Sequence, residues 1–156
     1  MKDWALIVAL ALPAMASAQS DEQAILAAVQ GFFDSMESKD AVAARKVTLP
    51  EGVFVSVREE DGTKSIGSFS NKEFVDRLPA GTEQVLERMW EPKVMIHQDI
   101  AVVWTRYDFH RDGEFSHCGI DAFQLVRTND GWKIAGGTYT VERTGCPESP
   151  LGPPEP

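Results

Sequence analysis

The sequence predicts an α+β domain of about six mostly antiparallel strands packed against three helices, in the order ααββαββββ. Three observations lead there. Val94–Glu142 is a succession of segments rich in Val, Ile, Thr, Tyr, Phe and Trp, separated by short turns, two of which contain Asp-Gly. Upstream, Ile25, Ala28, Val29, Phe32, Phe33 and Met36 recur at helical spacing and give one apolar face. Two capping boxes, Ser20-x-x-Gln23 and Ser70-x-x-Glu73, mark helix starts.

The elements follow in order. Lys2, an apolar run from Trp4 to Met15 and Ala16-Ser17-Ala18 make the three-part pattern of a secretory signal peptide over residues 1–18. A mature chain beginning at Gln19, periplasmic or secreted, is therefore expected. The run falls short of the roughly 20 apolar residues that a membrane span needs, and no later stretch reaches that length. No membrane partner is expected. Ser20 opens the first helix, and Asp21 and Glu22 suit the positive end of its dipole. Asp40 caps a short helix over Ala41–Val47 that ends near Pro50. Val53–Arg58, the turn Glu59–Gly62 and Thr63–Phe69 form a hairpin. Phe74, Val75 and Leu78 form the apolar side of a third helix that Pro79 stops. In Thr82–Trp90, Val85, Glu87 and Met89 alternate with Leu86, Arg88 and Trp90; this is a strand running on past Glu91-Pro92. The folded domain spans 19–146, and the proline-rich Pro147–Pro156 is expected to be a disordered tail.

The 156-residue chain carries a net charge of -9, and removing residues 1–18 takes away one Lys and one Asp and leaves that balance. Nucleic acid is not expected as a partner, because phosphate binding needs clustered Lys and Arg. Neither metal-ligand spacing nor a cofactor motif occurs, so no metal and no cofactor are expected.

Turn length sets strand register. With His110 paired to Phe115, Asp108 lies opposite His117, Arg106 opposite Gly119, Trp104 opposite Asp121 and Val102 opposite Phe123. With Arg127 paired to Trp132, Leu125 faces Ile134, Asp121 faces Thr138 and His117 faces Glu142. One face then has an apolar zone of Ile100, Val102, Phe123, Leu125, Trp132 and Ile134. Its ionisable zone holds Trp104, Arg106, Asp108, His117, Asp121, Thr138 and Glu142. The other face carries Val103, Tyr107, Ile120, Ala122, Tyr139 and Val141, too apolar to be left in water. A one-residue bulge in either hairpin would exchange the faces locally.

The element order resembles the nuclear-transport-factor-2-like superfamily, which includes SnoaL-like polyketide cyclases, ketosteroid isomerase and scytalone dehydratase. Ala101-Val102-Val103-Trp104, Phe115 to Leu125 and Asp130-Gly131-Trp132-Lys133-Ile134 resemble its exported, bacterial, lumazine-binding-like branch. The resemblance covers residues 21–144. It implies a curved sheet wrapped against the helices as a cone, a concave side holding a small molecule, and a convex side that pairs two subunits. A homodimer through the convex face is the partner it adds to an unknown small molecule.

Asp108 and His117 are the first candidates for chemistry. Side by side, they form either a base whose tautomer the carboxylate fixes or a structural cross-strand ion pair. Arg106 and Asp121 are either an anion clamp beside a base or a partly buried salt bridge. In ketosteroid-isomerase-like relatives a pocket carboxylate is the base, but no segment here matches their catalytic motif residue by residue. Trp90 and Trp104 can stack on a planar ligand or simply fill the core, and Phe123 and Thr138 complete the candidate ligand contacts. Cys118 and Cys146 can form a disulfide after export if the tail doubles back. Three readings stand: a small-molecule-binding domain, an isomerase, dehydratase or cyclase using pocket Asp and His, and a non-catalytic dimeric module.

Overall fold

Ser20 starts the fold. In the computed structural model, which describes residues 20–154, its hydroxyl accepts from the Gln23 N–H while the Gln23 side chain accepts from the Ser20 N–H. The signal segment expected over residues 1–18 lies outside the described residues. Helix α1 (Asp21–Ser38) ends at Lys39 in the left-handed region. Asp40 then caps α2 (Ala41–Val47) by accepting from the Val42 and Ala43 N–H groups. Helix α3 (Asn71–Arg77) carries the second capping box, and a single 3-10 turn, Leu78–Ala80, follows it.

Strands β1 (Thr48–Glu60), β2 (Thr63–Ser70), β3 (Val85–His97), β4 (Ile100–Arg111), β5 (Glu114–Thr128) and β6 (Gly131–Val141) form one sheet in the order β2-β1-β6-β5-β4-β3. Every neighbouring pair is antiparallel except β1 and β6, which run parallel. Buried Asn71 anchors α3 at that parallel seam, its Nδ2 donating to the Leu49 and Ile134 carbonyls at 2.7 and 3.1 Å. The apolar stripe of α1 packs onto the inner face of the sheet. Ile25, Val29, Phe32 and Phe33 meet Val103, Phe123, Leu125 and Ile134, and Phe32, Phe54, Phe74 and Phe123 stack or meet edge to face. The predicted architecture and element order are those observed.

Bulges decide which side chains point inward. In β3 the ladder shifts between Trp90 and Lys93, where Glu91 has φ 53° and Pro92 offers no N–H to a partner. In β5, Phe109 pairs with His117 while His110 pairs with Phe115, so Ser116 is the extra residue. In β6, Gln124 pairs with Gly136 but Leu125 with Ile134, so Ala135 is extra. Gly136 takes φ 143°, and a Cβ there would come within 2.4 Å of the Val53 carbonyl oxygen.

The Ser116 bulge corrects the expected β4–β5 register, and the Ala135 bulge the expected β5–β6 register. Asp108 lies opposite Cys118, not His117; Arg106 opposite Ile120; Trp104 opposite Ala122; Val102 opposite Gln124. Asp121 faces Tyr139 instead of Thr138, and Glu142 bridges to Cys118 instead of His117. His117 and Asp121 stay together on the inner face, whereas Trp104, Arg106, Asp108 and Thr138 move to the outer one. The outer apolar set is corrected too. Val103, Tyr107 and Val141 are buried, and Val103 and Tyr139 pack at the inner core. Of the six expected outer residues, Ile120 and Ala122 remain on that face, joined by exposed Ile100 and Met95.

Cys118 also faces outward. Its N–H and carbonyl exchange hydrogen bonds of 2.9 Å with Glu142. The chain then doubles back through Gly145 at φ 73°, and Cys146 bonds to Cys118 with a Cα–Cα distance of 5.9 Å. Residues 147–154 continue without helix or strand, and Pro154 lies in a groove beside Leu86 and His110.

Candidate functional site

The inner face and the helices enclose a cavity of about 240 Å3. Phe32 and Phe74 line it from the helices; Phe54, Phe69 and Phe123 extend that aromatic wall from the sheet, where Glu87, Tyr107, Phe109, His117, Asp121 and Tyr139 also line it. Alternation explains the sheet-side group. Glu87 pairs with Phe109, Phe109 with His117, and Asp121 with Tyr139, so every second residue of four adjacent strands points inward.

Asp121 and Glu87 form the polar floor. Asp121 is 5% exposed, and no N–H or hydroxyl of the described residues reaches its Oδ2. Its partner is the Glu87 carboxyl, with which it hydrogen-bonds. Two carboxylates can bond this way only when a proton lies between them. Burial pushes Asp121 up to about 7, against which the Glu87 hydrogen bond acts only in part. Burial, then the charge of Asp121, pushes Glu87 well above the usual carboxylate range. The floor is therefore a carboxyl–carboxylate unit near neutral pH: its one proton lies between the two groups, and the remaining oxygens are hydrogen-bond acceptors.

The two tyrosines and the histidine around it are uncharged at neutral pH, and the nearest cations lining the cavity are Arg58 and Arg111. Burial raises the Tyr107 and Tyr139 phenols above their ordinary range. The Tyr107 hydroxyl donates to the Thr140 carbonyl at 2.6 Å, its ring crossing the strand at Gly119. A Cβ on Gly119 would meet that ring at 2.8 Å and the Thr140 carbonyl oxygen at 2.2 Å, so glycine is required there. His117 stacks on Phe109 at 4.8 Å between ring centroids, with its Nδ1 3.1 Å from Ser116 Oγ. Burial, then the positive charges of Arg111, Arg58 and Arg143, bring His117 down to about 4, so it is neutral at pH 7.

The remaining candidates have other roles. Asp108 is buried on the outer face and accepts from Arg88 Nε at 2.9 Å and from Arg88 Nη2 at 2.6 Å; His110 Nε2 lies 3.4 Å away. This is a closed structural pair, and its separation from His117 corrects the expected Asp108–His117 dyad. Arg106 is exposed, 3.6 Å from Glu91, and shares no face with Asp121. Trp104 is 51% exposed on the outer face, Thr138 is exposed on the same face two strands away, and Trp90 is buried as the strand neighbour of Arg106. None of these three lines the inner cavity; Phe123 does. No group of His, Cys, Asp and Glu among the described residues is arranged to hold a metal ion.

Glu87, Tyr107 and Tyr139 were missed as site residues. Glu87 left a signal, since it alternates with Val85 and Met89 on the apolar side of its strand. The tyrosines left none, because the Ser116 bulge turns Tyr107 to the inner face and the Ala135 bulge turns Tyr139 there.

A family model described as "Putative lumazine-binding" matches residues 20–140. No curated protein matches the chain. Among solved structures, an NTF2-like protein from Cytophaga hutchinsonii is similar at TM-score 0.64 and 11% identity, covering 79% of this chain and 99% of that one. An NTF2-like superfamily protein from Salmonella enterica aligns at TM-score 0.62 and 14% identity, covering 83% and 96%. A protein from Streptomyces avermitilis described as a "putative dehydratase from the NTF2-like family" aligns at TM-score 0.60 and 20% identity, covering 78% and 95%. At these identities the structural likeness speaks for the fold alone.

Proposed function

Because the chain belongs to the lumazine-binding-like family of the NTF2-like fold, we propose that its inner cavity binds a flat, largely apolar small molecule whose polar edge meets Glu87 and Asp121. The observation carrying this reading is the buried, proton-sharing carboxyl pair at the floor of a phenylalanine-lined cavity. Unpartnered polar groups are costly to bury and are kept where something completes them. The N–H of an amide or ureide, or the O–H of a phenol, completes this one by donating to the Asp121 oxygen that lacks a donor, while the rings supply area for affinity. Lumazine, a flat bicyclic ureide, is the first compound to test, by calorimetry against the wild type and Asp121→Asn. The reading expects binding that the substitution weakens at least tenfold, about the value of one charge-assisted hydrogen bond. If no flat ureide or phenol binds, or if binding ignores Asp121, it fails.

A second reading has one observation in its favour. Asp121, held at about 7, has the affinity that a general acid–base needs to give and take a proton at neutral pH. Isomerisation or dehydration at the same floor would use it, with Glu87 holding the shared proton. Turnover lost in Asp121→Asn with ligand affinity retained would separate catalysis from binding.

We also place the mature chain outside the cytoplasm, starting at Gln19, on the strength of Ala16-Ser17-Ala18. Two copies are proposed to pair through the outer face around Ile120 and Ala122.

A further inference from the structure

We propose that the ligand is an elongated amphipathic anion, held with its neutral polar edge at the Glu87–Asp121 floor and its negative group at the mouth of the cone. This rests on the reading of the inner cavity as a binding site and adds the chemistry of the ligand's other end. A second cavity, of about 650 Å3, adjoins the first and shares Met36, Phe69, Phe74, Phe109 and Arg111 with it. The two form one passage, apolar along its length and different at its ends.

The outer end is cationic in a protein whose net charge is -9. Lys39, Arg77 and Arg111 line it against a single carboxylate, Glu83. Each cation is placed by a local cause. Lys39 is the left-handed cap of α1, and its aliphatic stem runs past Gly81, where a Cβ would lie 3.7 Å from Cε. Arg77 Nε donates to the Glu73 carbonyl at 3.1 Å, an interaction within α3, and its guanidinium makes no salt bridge among the described residues, although its charge also reaches the Glu73 carboxylate. Arg111 sits over the Phe109 ring at 5.7 Å and reaches Glu83 at 3.7 Å. Its position in both cavities makes it the hinge between the apolar passage and the charged rim.

The two ends sort ligands by charge. The carboxyl-lined floor opposes an anion, and Arg58 and Arg111 beside it oppose a cation, so the deep group is uncharged. The rim favours one negative charge, a carboxylate or phosphate, and screens with salt because it is exposed. The rings between suit a hydrophobic spacer.

The probes are para-hydroxyphenyl alkanoates of increasing chain length and their uncharged primary amides, titrated by calorimetry against wild type, Arg77→Gln, Arg111→Gln, Glu83→Gln and Asp121→Asn. Both arginines are exposed, so their variants should fold; melting temperature checks this. The inference expects one chain length at which the acid outbinds its amide about tenfold, with roughly fivefold lost in each arginine variant and at high salt. Glu83→Gln, which frees Arg111, should strengthen the acid and leave the amide unchanged. Acid and amide binding equally at every length, both sensitive to Asp121→Asn, would overturn the anionic end and leave the floor's function standing. Binding of neither series, or binding indifferent to Asp121, would overturn the floor's function and this inference with it.

Discussion

Asp108 and Asp121 lie on adjacent strands, both nearly inaccessible to solvent, and they teach opposite lessons. Asp108 has all that a buried carboxylate requires: two charge-assisted bonds from Arg88 and an imidazole close by. Asp121 has a second carboxyl for a neighbour and one oxygen with no donor. The first is closed, and further contacts would add nothing. The second is incomplete, and a molecule from outside can complete it. Burial alone does not distinguish structure from function; the partner does.

The comparison breaks most visibly at Asp108. Asp108→Ala strands the Arg88 guanidinium in a low-dielectric site, and urea unfolding should show a loss of about 3–5 kcal/mol. Ligand affinity of the folded fraction should not change. Reducing the Cys118–Cys146 bond comes next. It releases the chain end from the outer face and should cost about 2–4 kcal/mol, with the cavity's affinity intact.

Asp121→Asn should act the other way, raising stability by about 1–2 kcal/mol above neutral pH because an amide can donate to Glu87 where a second charge cannot. The pH dependence carries the sign. Folded Asp121 keeps a proton that the unfolded chain releases between 3.8 and about 7, so the folded state binds more protons and stability falls as pH rises through that window. Glu87, also raised, extends the fall. His117 opposes it. Unfolded, it takes up a proton below 6.5, while folded it does so only near 4, so its contribution is lost as pH drops through that range. Wild type should therefore show a shallow profile that Asp121→Asn tilts toward lower stability in acid and His117→Gln tilts toward lower stability at neutral pH. Thermal melts at half-unit pH steps would show whether the tilts are opposite. The smallest effect belongs to Arg106→Gln, within about 0.5 kcal/mol and without consequence for binding, since its exposed side chain faces away from the cavity.

These two aspartates also show what the sequence could and could not tell. The helix starts, the hairpins and the strand through Pro92 were legible because capping boxes, Asp-Gly turns and apolar periodicity are local signals. His117 and Asp121 were rightly grouped, because both follow the Ser116 bulge and keep their mutual spacing. Asp108 and Arg106 precede it on the partner strand, and one extra residue moved them to the other face. Nothing local in Phe115-Ser116-His117 announces that bulge. It follows from packing that brings Tyr107 and Phe109 to the inner face and Cys118 to the outer one, where Cys146 returns. Glu87 was overlooked for a different reason. Its carboxylate lay in an apolar alternation whose partner, Asp121, is two strands away in the sheet.

The central claim is that Glu87 and Asp121 share a proton at the floor of the cone. Carboxyl carbon NMR of the ligand-free protein, titrated from acid to mild alkali, tests it directly, with Asp121→Asn supplying the assignment. The account predicts a coupled pair, one member of which holds its proton to about pH 7. Two inner carboxyls that both ionise in the ordinary range near ~4 would contradict it.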